Sequence, residues 1–278
     1  MHRLGVMQGR LSPMVDGAIQ AFPVETWQQE FSLARDCGFD LIEWVLDLTE
    51  WQSNPLLWNE GRREIVGLQR QHSVAVPIIC VDFFMSFGLL AERLDERLEG
   101  MGMLCELIRV CPEVGIHQIE IPLIGKSSIM DDQLEDHMVS LLQDIVPLAE
   151  SKNTSLLLEV DLPPKRVQAF LEKIPSRVIQ MNYDIGNSAY WGFSAEEEIS
   201  LYGDRIGNVH IKDCTPEDYS VPLGKGNVDF ESFFKNLRNA GYRGDFVLQA
   251  ARGQDDVNIA REFCAYTYDL IERFLNGS

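Results

Sequence analysis

Polar side chains capable of acid–base or metal chemistry interrupt several short apolar segments of this 278-residue chain. Each of them is a carboxylate, an imidazole or an amide with mostly apolar neighbours. The six residues are Glu43, Glu120, Glu159, Asp184, His210 and Gln249. A lone buried carboxylate costs on the order of several kcal/mol unless it is paired or binds a cation. The repeated placement of acids in apolar surroundings therefore predicts a compensating positive charge.

Three of these residues predict a divalent-metal site. Glu159, Asp184 and His210 follow one another at intervals of roughly 25 residues, about the length of one strand–helix unit of a barrel. They would then lie at the ends of three adjacent strands and share one ion. Carboxylate oxygens together with an imidazole nitrogen suit Mn²⁺, Co²⁺, Zn²⁺ or Mg²⁺. For Glu43 and Glu120, an ordinary salt bridge or hydrogen bond remains an alternative.

Eight segments of the chain are short, rich in Val, Ile, Leu or Phe, and mostly apolar on both sides. Such strands are typical of a parallel sheet that is covered on both faces. The predicted strands are Leu4–Met7, Leu41–Leu46, Val74–Val81, Gln118–Ile124, Ser155–Val160, Val178–Tyr183, Gly207–Lys212 and Asp245–Leu248. The polar candidates above lie in or directly after these strands.

Helical segments alternate with the predicted strands. Glu25–Cys37 places Trp27, Phe31 and Ala34 on one face of a helix. Phe230–Ala240 shows the same apolar spacing. One apolar face and one polar face indicate helices that pack against a core and face water on the other side.

Several predicted helices end at a glycine just before a strand, as at Gly38, Gly115 and Gly241. A glycine there can adopt the left-handed conformation that ends a helix and turns the chain back. The recurring helix–glycine–strand unit predicts an α/β fold, a single (β/α)8 TIM barrel. No linker or low-complexity stretch divides the chain, so we expect one domain over residues 1–278. Enzymes of this architecture carry their sites at the C-terminal ends of the strands.

The composition argues against several classes of partner. The formal net charge is −19, and contacts to a phosphate backbone need clustered Lys and Arg, so we expect no nucleic-acid or membrane partner. The chain lacks an apolar run of about 18 residues and a recognisable signal peptide. We therefore expect a cytoplasmic protein whose six cysteines are reduced. A homo-oligomer stays open, because no interface can be recognised in the sequence.

Four motifs stand out after the predicted strands: Met7–Pro13 (MQGRLSP), Tyr183–Asn187 (YDIGN), Val209–Asp213 (VHIKD) and Leu223–Phe230 (LGKGNVDF). With these motifs the chain resembles, over essentially its whole length, the xylose-isomerase-like superfamily of sugar and sugar-phosphate isomerases and epimerases. The resemblance implies a barrel fold and a small-molecule carbohydrate substrate. The motifs specify the superfamily much better than they specify any one substrate.

The resemblance also implies a metal held by Glu, Asp, His and Glu from strands five to eight. In this chain the corresponding residues are Glu159, Asp184, His210 and Gln249. Gln249 departs from the pattern. An amide oxygen can bind a cation, but it brings no negative charge and transfers no proton as a carboxylate would.

The amide at Gln249 bears directly on the reaction. Ketose epimerases of this superfamily resemble two-base enzymes, in which one carboxylate removes the proton next to the carbonyl and another reprotonates the opposite face. Glu159 is the predicted base, and Glu120, Lys212 or a metal-bound water would have to replace the second one. An aldose–ketose isomerisation through an enediolate, or a β-elimination of water, needs only one base. Lys212 would polarise a substrate oxygen or pair with Asp213.

Five residues are predicted to bind substrate: Arg10, Glu43, Asn187, Lys225 and Arg252. The three cations follow strands one, seven and eight, where they could hold a phosphate or a sugar hydroxyl. A surface position or a salt bridge is an equally ordinary role for such residues.

Aromatic residues after strands two and three would line the pocket or pack in the core or in a lid. They are Trp44, Trp51, Phe83, Phe84 and Phe87. The segment Asp47–Glu60, which has few helical signals, is predicted to be a lid loop over the barrel mouth.

The sequence therefore predicts a divalent-metal-dependent isomerase or epimerase of a small sugar, keto acid or sugar phosphate that acts through a metal-stabilised enediolate. A dehydratase on the same barrel is one alternative, because it shares the metal and the enolate step. A barrel that binds sugar without turnover is another, with Gln249 as the mark of lost activity. A nuclease of this architecture is disfavoured, since it would need more histidines than the five present.

Overall fold

Eight parallel strands form a closed barrel in the computed structural model, which describes residues 2–48, 50–85 and 88–277. The strands are β1 (Leu4–Met7), β2 (Leu41–Val45), β3 (Ala75–Cys80), β4 (Gln118–Leu123), β5 (Ser155–Val160), β6 (Ile179–Asp184), β7 (Ile206–Ile211) and β8 (Asp245–Leu248). Each strand pairs with its neighbours in sequence, and β8 pairs with β1 to close the ring. The predicted (β/α)8 TIM barrel is confirmed.

Helices between the strands surround the barrel. They are α1 (Trp27–Cys37), α2 (Asn59–His72), α3 (Leu94–Val114), α4 (Asp132–Ser151), α5 (Pro164–Glu172), α6 (Ile185–Tyr190), α7 (Ala195–Tyr202), α8 (Phe230–Asn239) and α9 (Asp256–Leu270). A π-helical turn, Ile271–Leu275, continues α9. Helix α6 follows β6 directly, with no loop between them.

The predicted strands agree with the observed strands to within one residue at each end. β1, β5 and β8 have the predicted bounds. β6 extends one residue further than predicted, to Asp184, and β7 ends one residue earlier, at Ile211. Lys212 therefore lies just beyond its strand, in the loop that begins at the barrel mouth.

The helices pack and end as the sequence predicts. In α1, Trp27 and Phe31 are buried against the barrel. Gly38, Gly115 and Gly241 all have positive φ angles, of 95°, 93° and 73°. An L-residue in this conformation would cost about 1–2 kcal/mol, so glycine is the favoured residue where the chain must turn in this way.

The loop after β1 is held by Glu30, a carboxylate of α1 that is only 1% exposed. Glu30 Oε1 accepts hydrogen bonds from the backbone N–H of Gly9 at 2.9 Å and of Leu11 at 3.2 Å. Burial raises the pKa of Glu30 to about 7. Gly9 is required at this bend, because its φ is 87° and a Cβ there would lie 2.5 Å from Ala21 O.

All six cysteines are free thiols, in agreement with the prediction. Cys105 is half-buried and the other five are buried, as expected for cysteines that serve as small apolar residues. Within the described part of the chain, none of the helices has the length and apolar character that crossing a membrane requires.

Candidate functional site

His210 is fully buried inside the barrel, near the C-terminal end of β7. Its Nε2 lies 2.8 Å from Glu43 Oε2 and 3.4 Å from Glu120 Oε2. Glu43 belongs to β2 and Glu120 to β4, and both are at most 1% exposed. Three separate strands thus point these side chains at one another across the barrel interior.

The Nδ1 edge of the same imidazole faces Asn182 and Glu159. Asn182 Nδ2 donates to His210 Nδ1 at 3.1 Å and to Glu159 Oε2 at 3.3 Å. Asn208 Nδ2 donates to Asn182 Oδ1 at 2.8 Å, which fixes the orientation of the Asn182 amide. An amide N–H at Nδ1 and a carboxyl group at Nε2 are the partners expected for the tautomer with its proton on Nε2.

Burial dominates the electrostatics of the carboxylates around His210. It raises the pKa of Glu43 to about 8 and raises the pKa values of Glu120 and Glu159 well above their ordinary range. Within residues 2–48, 50–85 and 88–277, Glu43 Oε1 and both oxygens of Glu120 accept no hydrogen bond. Such oxygens suit a cation. Ligand atoms of Glu43, Glu120 and His210 lie within 4.8 Å of one another, so this group could hold a divalent metal ion.

A second group forms where β6 meets α6. Asp184 Oδ1 caps α6 by accepting from Asn187 N at 2.8 Å, and Asp184 Oδ2 lies 3.2 Å from Lys212 Nζ. Asn187 Nδ2 donates to Glu159 Oε1, while Asn187 Oδ1 accepts from Lys212 Nζ. Four of the predicted site residues therefore form one hydrogen-bonded group. Lys212 is the cation of this group. Glu159 connects the group to His210, because Glu159 Oε2 lies 4.0 Å from His210 Nδ1.

The ring of Tyr219 lies over Lys212. The Nζ of Lys212 lies 3.8 Å from the ring centroid of Tyr219, and Tyr190 packs edge-on against Tyr219 with centroids 4.9 Å apart. Gly186, in the first turn of α6, leaves room for the lysine stem, because a Cβ there would lie 2.9 Å from Lys212 Cβ. The backbone of α6 and the ring of Tyr219 thus fix the position of the ammonium group.

Asp213 organises the loop after β7 by bonding to backbone N–H groups rather than to a lysine. Its Oδ2 accepts from Gly224 and Gly226, both at 2.9 Å, and its Oδ1 accepts from Val228 at 3.2 Å. A Cβ at Gly226 would overlap Asp213 Oδ1, which explains the glycine. The GKG sequence is therefore a turn closed on Asp213, and Lys225 within it is exposed.

Gln249 directly follows β8 and is hydrogen-bonded to the loop after β1. Its Nε2 donates to Gln20 Oε1 at 3.1 Å. Gln20 Nε2 in turn donates to Asp82 Oδ2 at 2.6 Å, and Arg10 Nη2 lies 3.4 Å from Gln20 Oε1. These contacts join the end of β8, through the first loop, to the end of β3.

The two arginines predicted to bind substrate differ in how their N–H groups are used. Arg252 Nη1 donates to Gly9 O at 2.9 Å, and Arg252 Nη2 donates to Asp256 Oδ2 at 2.6 Å. Arg252 therefore anchors the first loop. Arg10 Nη1 donates to Ile19 O, whereas its buried Nε meets no acceptor in the described residues. Burial and the nearby charge of Arg252 lower the pKa of Arg10 to about 10.

The aromatic residues serve mainly as packing. Trp44 is fully buried and packs on Trp27 with centroids 5.5 Å apart, so it belongs to the core. Trp51 packs on the buried Phe83 at 5.6 Å. Phe87 lies outside the described residues.

The segment predicted as a lid contains two 3-10 turns, Trp51–Ser53 and Pro55–Leu57. Asn54 between them is buried, and its Nδ2 donates to Val45 O at 3.0 Å. Its Oδ1 accepts from Trp44 Nε1, also at 3.0 Å. The middle of this segment is therefore tied to β2.

Four residues of the site were not predicted: Asn182, Asn208, Asp82 and Gln20. Asn182 and Asn208 stand two positions before the predicted site residues of β6 and β7. The period of two along a strand places them on the same interior face, and this signal could have found them. Asp82 is the first acid after β3, a position of the same kind as the other candidates. Gln20 has no such signal, because it lies in a loop.

These features define a (β/α)8 barrel whose interior carries a buried histidine–carboxylate centre at the C-terminal ends of its strands. The chain belongs to the xylose isomerase-like TIM barrel family, since the model of that family matches residues 31–267.

One curated relative and two solved structures illustrate the similarity. L-ribulose-5-phosphate 3-epimerase UlaE of Salmonella heidelberg (strain SL476) is 28% identical over 235 residues, which cover 81% of this chain and 82% of the relative. A structure of L-ribulose 3-epimerase matches with a TM-score of 0.79 at 18% identity, covering 98% of this chain and 95% of that one. The IOLI protein with a binding zinc atom matches with a TM-score of 0.77 at 13% identity, covering 98% and 99%. The two structures support the fold.

Proposed function

We propose that this chain is a divalent-metal-dependent 3-epimerase of a ketose or a ketose phosphate. Membership of the family and the similarity to an L-ribulose-5-phosphate 3-epimerase support the reaction class. The observation that carries the proposal is the position of Glu159. This buried carboxylate lies beside His210 at the strand ends, where barrel enzymes bind their substrates.

The tautomer of His210 supports a metal position on its Nδ1 side, with Glu159 and Asp184 as further ligands. In the tautomer that these contacts favour, the Nε2–H is donated to Glu43 and the lone pair is on Nδ1. A carboxylate that orients a metal-binding histidine in this way is a common feature of metal sites. The alternative is the Nε2 side, where Glu43 and Glu120 would be the ligands. A bound divalent ion supplies Lewis-acid polarisation of the substrate carbonyl.

Glu159 takes the proton from the carbon next to the carbonyl. Asn182 and Asn187 each donate an amide N–H to one of its two oxygens, so the carboxylate is held in a fixed orientation. Burial and the charge of Glu120 raise the pKa of Glu159, which makes the ionised form a stronger base. Loss of the proton leaves an enediolate, in which the former C–H electron pair forms the carbon–carbon double bond.

Lys212 stabilises the negative charge that develops on the substrate oxygens. Its ammonium group is held by Asp184 and Asn187 and lies against the ring of Tyr219. A cation fixed before the reaction needs no reorganisation in the transition state.

A one-base reaction is the second candidate, and Gln249 favours it. This residue has no acidic proton, and its Nε2 is bound to Gln20. An aldose–ketose isomerisation, or the elimination of water by a dehydratase, would proceed with Glu159 alone. A barrel that binds sugar without turnover is the non-catalytic alternative.

The test follows the C3 proton of L-ribulose 5-phosphate by NMR in D₂O, with a divalent ion present. We expect the 3-epimer to form with deuterium at C3. Glu159→Gln should lower the rate by about 10²–10⁴-fold, because it removes the base and keeps the size of the side chain. Glu172→Gln, a matched change on the exposed face of α5, should leave the rate unchanged. Full activity in Glu159→Gln would refute the assignment of the base, and loss of water or an aldose product would favour the one-base reactions.

A further inference from the structure

Asp82 is a carboxylate that none of the steps above uses. It lies two positions after the last residue of β3, in the first turn of a short 3-10 helix, Asp82–Met85. Asp82 Oδ2 accepts from Gln20 Nε2 at 2.6 Å, and Asp82 Oδ1 accepts from Cys80 Sγ at 3.4 Å. The residue is half-buried, in contrast to the fully buried Glu43 and Glu120. Asp82 is therefore more accessible to solvent than Glu43 and Glu120.

The same contacts link Asp82 to position 249. Gln20 Oε1 accepts from Gln249 Nε2 at 3.1 Å, while Gln20 Nε2 donates to Asp82. Gln249, Gln20 and Asp82 thus form a row of side chains joined by hydrogen bonds. Asp82 is the carboxylate of this row, and only the amide of Gln20 separates it from Gln249. The residue after β8 is an amide, Gln249, whereas the segment after β3 contains a carboxylate, Asp82.

Asp82 and Glu159 are held by different parts of the barrel. Glu159 is fixed by Asn182 of β6 and Asn187 of α6. Asp82 is fixed by Gln20 of the first loop. Cys80, whose Sγ donates to Asp82 Oδ1, pairs with Glu120 in the β3–β4 register, and Glu120 Oε2 lies 3.4 Å from His210 Nε2. Asp82 is thus linked to the Nε2 side of the imidazole, whereas Glu159 Oε2 lies 4.0 Å from Nδ1. A substrate bound next to His210 would thus meet one carboxylate from each side.

We propose that Asp82 is the second acid–base group of the epimerisation and takes the role that a carboxylate at position 249 would have. This inference rests on the proposed function. Glu159 removes the C3 proton, and the C–H electron pair enters the enediolate. Asp82, in its protonated form, then gives its O–H proton to C3 from the other face. The enediolate electron pair forms the new C–H bond, the carbonyl is restored, and both carboxyl groups return to their starting state by proton exchange with solvent.

Burial raises the pKa of Asp82, while the hydrogen bond from Gln20 acts in the opposite direction. The charge of Arg10 also lowers it. The assignment of Asp82 rests on its hydrogen-bonded connection to Gln249 through Gln20.

The decisive experiment compares wild type with Asp82→Asn in D₂O, with a divalent ion present and each of the two 3-epimers of the ketose phosphate as the starting material. The variant keeps an oxygen that can accept from Gln20, so its fold should be retained. We expect interconversion of the epimers to fall at least 100-fold. Exchange of the C3 proton should persist from one epimer only, the one whose C3–H faces Glu159. A purely structural role would lower exchange from both epimers together.

Two further variants sharpen the test. Gln249→Glu in the Asp82→Asn background should recover part of the interconversion, because it returns a carboxylate to the same row. Asp161→Asn, a change of a loop carboxylate bound to Gly125 N and Ser128 Oγ, should leave both rates unchanged. Interconversion at the wild-type rate in Asp82→Asn, or equal loss of exchange from both epimers, would overturn the inference while leaving the proposed function intact. Absence of exchange and interconversion in wild type would overturn both.

Discussion

At the scale of single residues, Glu30 shows how a buried carboxylate can be structural and still sensitive to pH. It lies outside the histidine–carboxylate centre and holds two backbone N–H groups of the first loop. Burial raises its pKa from an ordinary value of 4.5 to about 7. The folded chain therefore favours the protonated form. The stability that this group contributes is present below its unfolded pKa and is lost as the pH rises through about 7.

The comparison of wild type with Glu30→Gln measures this effect. Gln keeps an oxygen for Gly9 and Leu11 but cannot ionise. Between pH 5.5 and 8.5, the free energy of unfolding of wild type should fall by about 2 kcal/mol relative to the variant. Urea denaturation at the two pH values gives this difference directly. A difference that does not change with pH, or that changes in the opposite direction, would show that burial does not raise the pKa of Glu30.

The sequence indicates the types of the site residues better than their partners. Glu159, Asp184 and His210 could be selected because acids and an imidazole in apolar strands need a physical reason. The sequence does not show that His210 Nε2 would face Glu43 and Glu120, since this depends on the rotation of one ring. The role of Asn182 depends on the same rotation. Asp82 is linked to the site through a loop glutamine, and loop contacts have no periodic pattern in the sequence.

At the scale of elements, the loop after β7 depends on one side chain for its shape. The carboxylate of Asp213 is fully buried and accepts from the backbone N–H groups of Gly224, Gly226 and Val228. The loop carries Tyr219, whose ring lies over Lys212. The order of this loop and the position of the lysine are therefore coupled.

Asp213→Asn should loosen the loop without unfolding the barrel. Hydrogen bonds to a charged acceptor contribute about 1.5–3 kcal/mol each, so the amides of residues 224–228 should exchange about 10- to 100-fold faster. Hydrogen–deuterium exchange with peptide resolution would detect this change and should find the strands unaffected. Asp218→Asn, a change of an exposed carboxylate in the same loop that bonds to Ser220 N, is the matched control. Equal exchange in both variants would contradict the role of Asp213.

The strands were more predictable from the sequence than the loops that connect them, and the reason is burial. A strand buried on both faces must be apolar nearly throughout, and this requirement is visible in the sequence over the four to six residues of each strand. The segment Asp47–Glu60 lacks such a pattern. Its actual order comes from Asn54, whose side chain bonds to Val45 O and to Trp44 Nε1. Specific side-chain bonds of this kind cannot be distinguished in sequence from those of a solvated loop.

At the scale of the whole molecule, a net charge of −19 accompanies a group of acids buried around a single imidazole. Long-range repulsion and local desolvation both destabilise the folded chain, and a divalent cation would relieve both. The two effects can be separated, because only the local one depends on particular ligands.

Thermal unfolding after chelation and after addition of Mn²⁺, Co²⁺, Zn²⁺ or Mg²⁺ tests the metal site. An ion at about 100 times its dissociation constant contributes about 2.7 kcal/mol, which raises Tm by about 5 °C for a chain of this size. Asp184→Asn should abolish the shift and Glu120→Gln should keep it. The reverse result would place the ion with Glu43 and Glu120. NaCl of equal ionic strength controls for screening, and an equal shift with NaCl would argue against a specific site.

The bond from Arg252 to Gly9 O joins positions that are 243 residues apart, and Gln249 reaches Gln20 over 229 residues. During synthesis on the ribosome, the loop that carries Arg10 and Gln20 leaves the exit tunnel long before its partners have been translated. The row from Gln249 to Asp82 can form only after the eighth strand has been made and has closed the ring. Maturation of the site is therefore linked to completion of the barrel, and a nascent chain that stops short of β8 lacks both the closing strand and the anchor of its first loop.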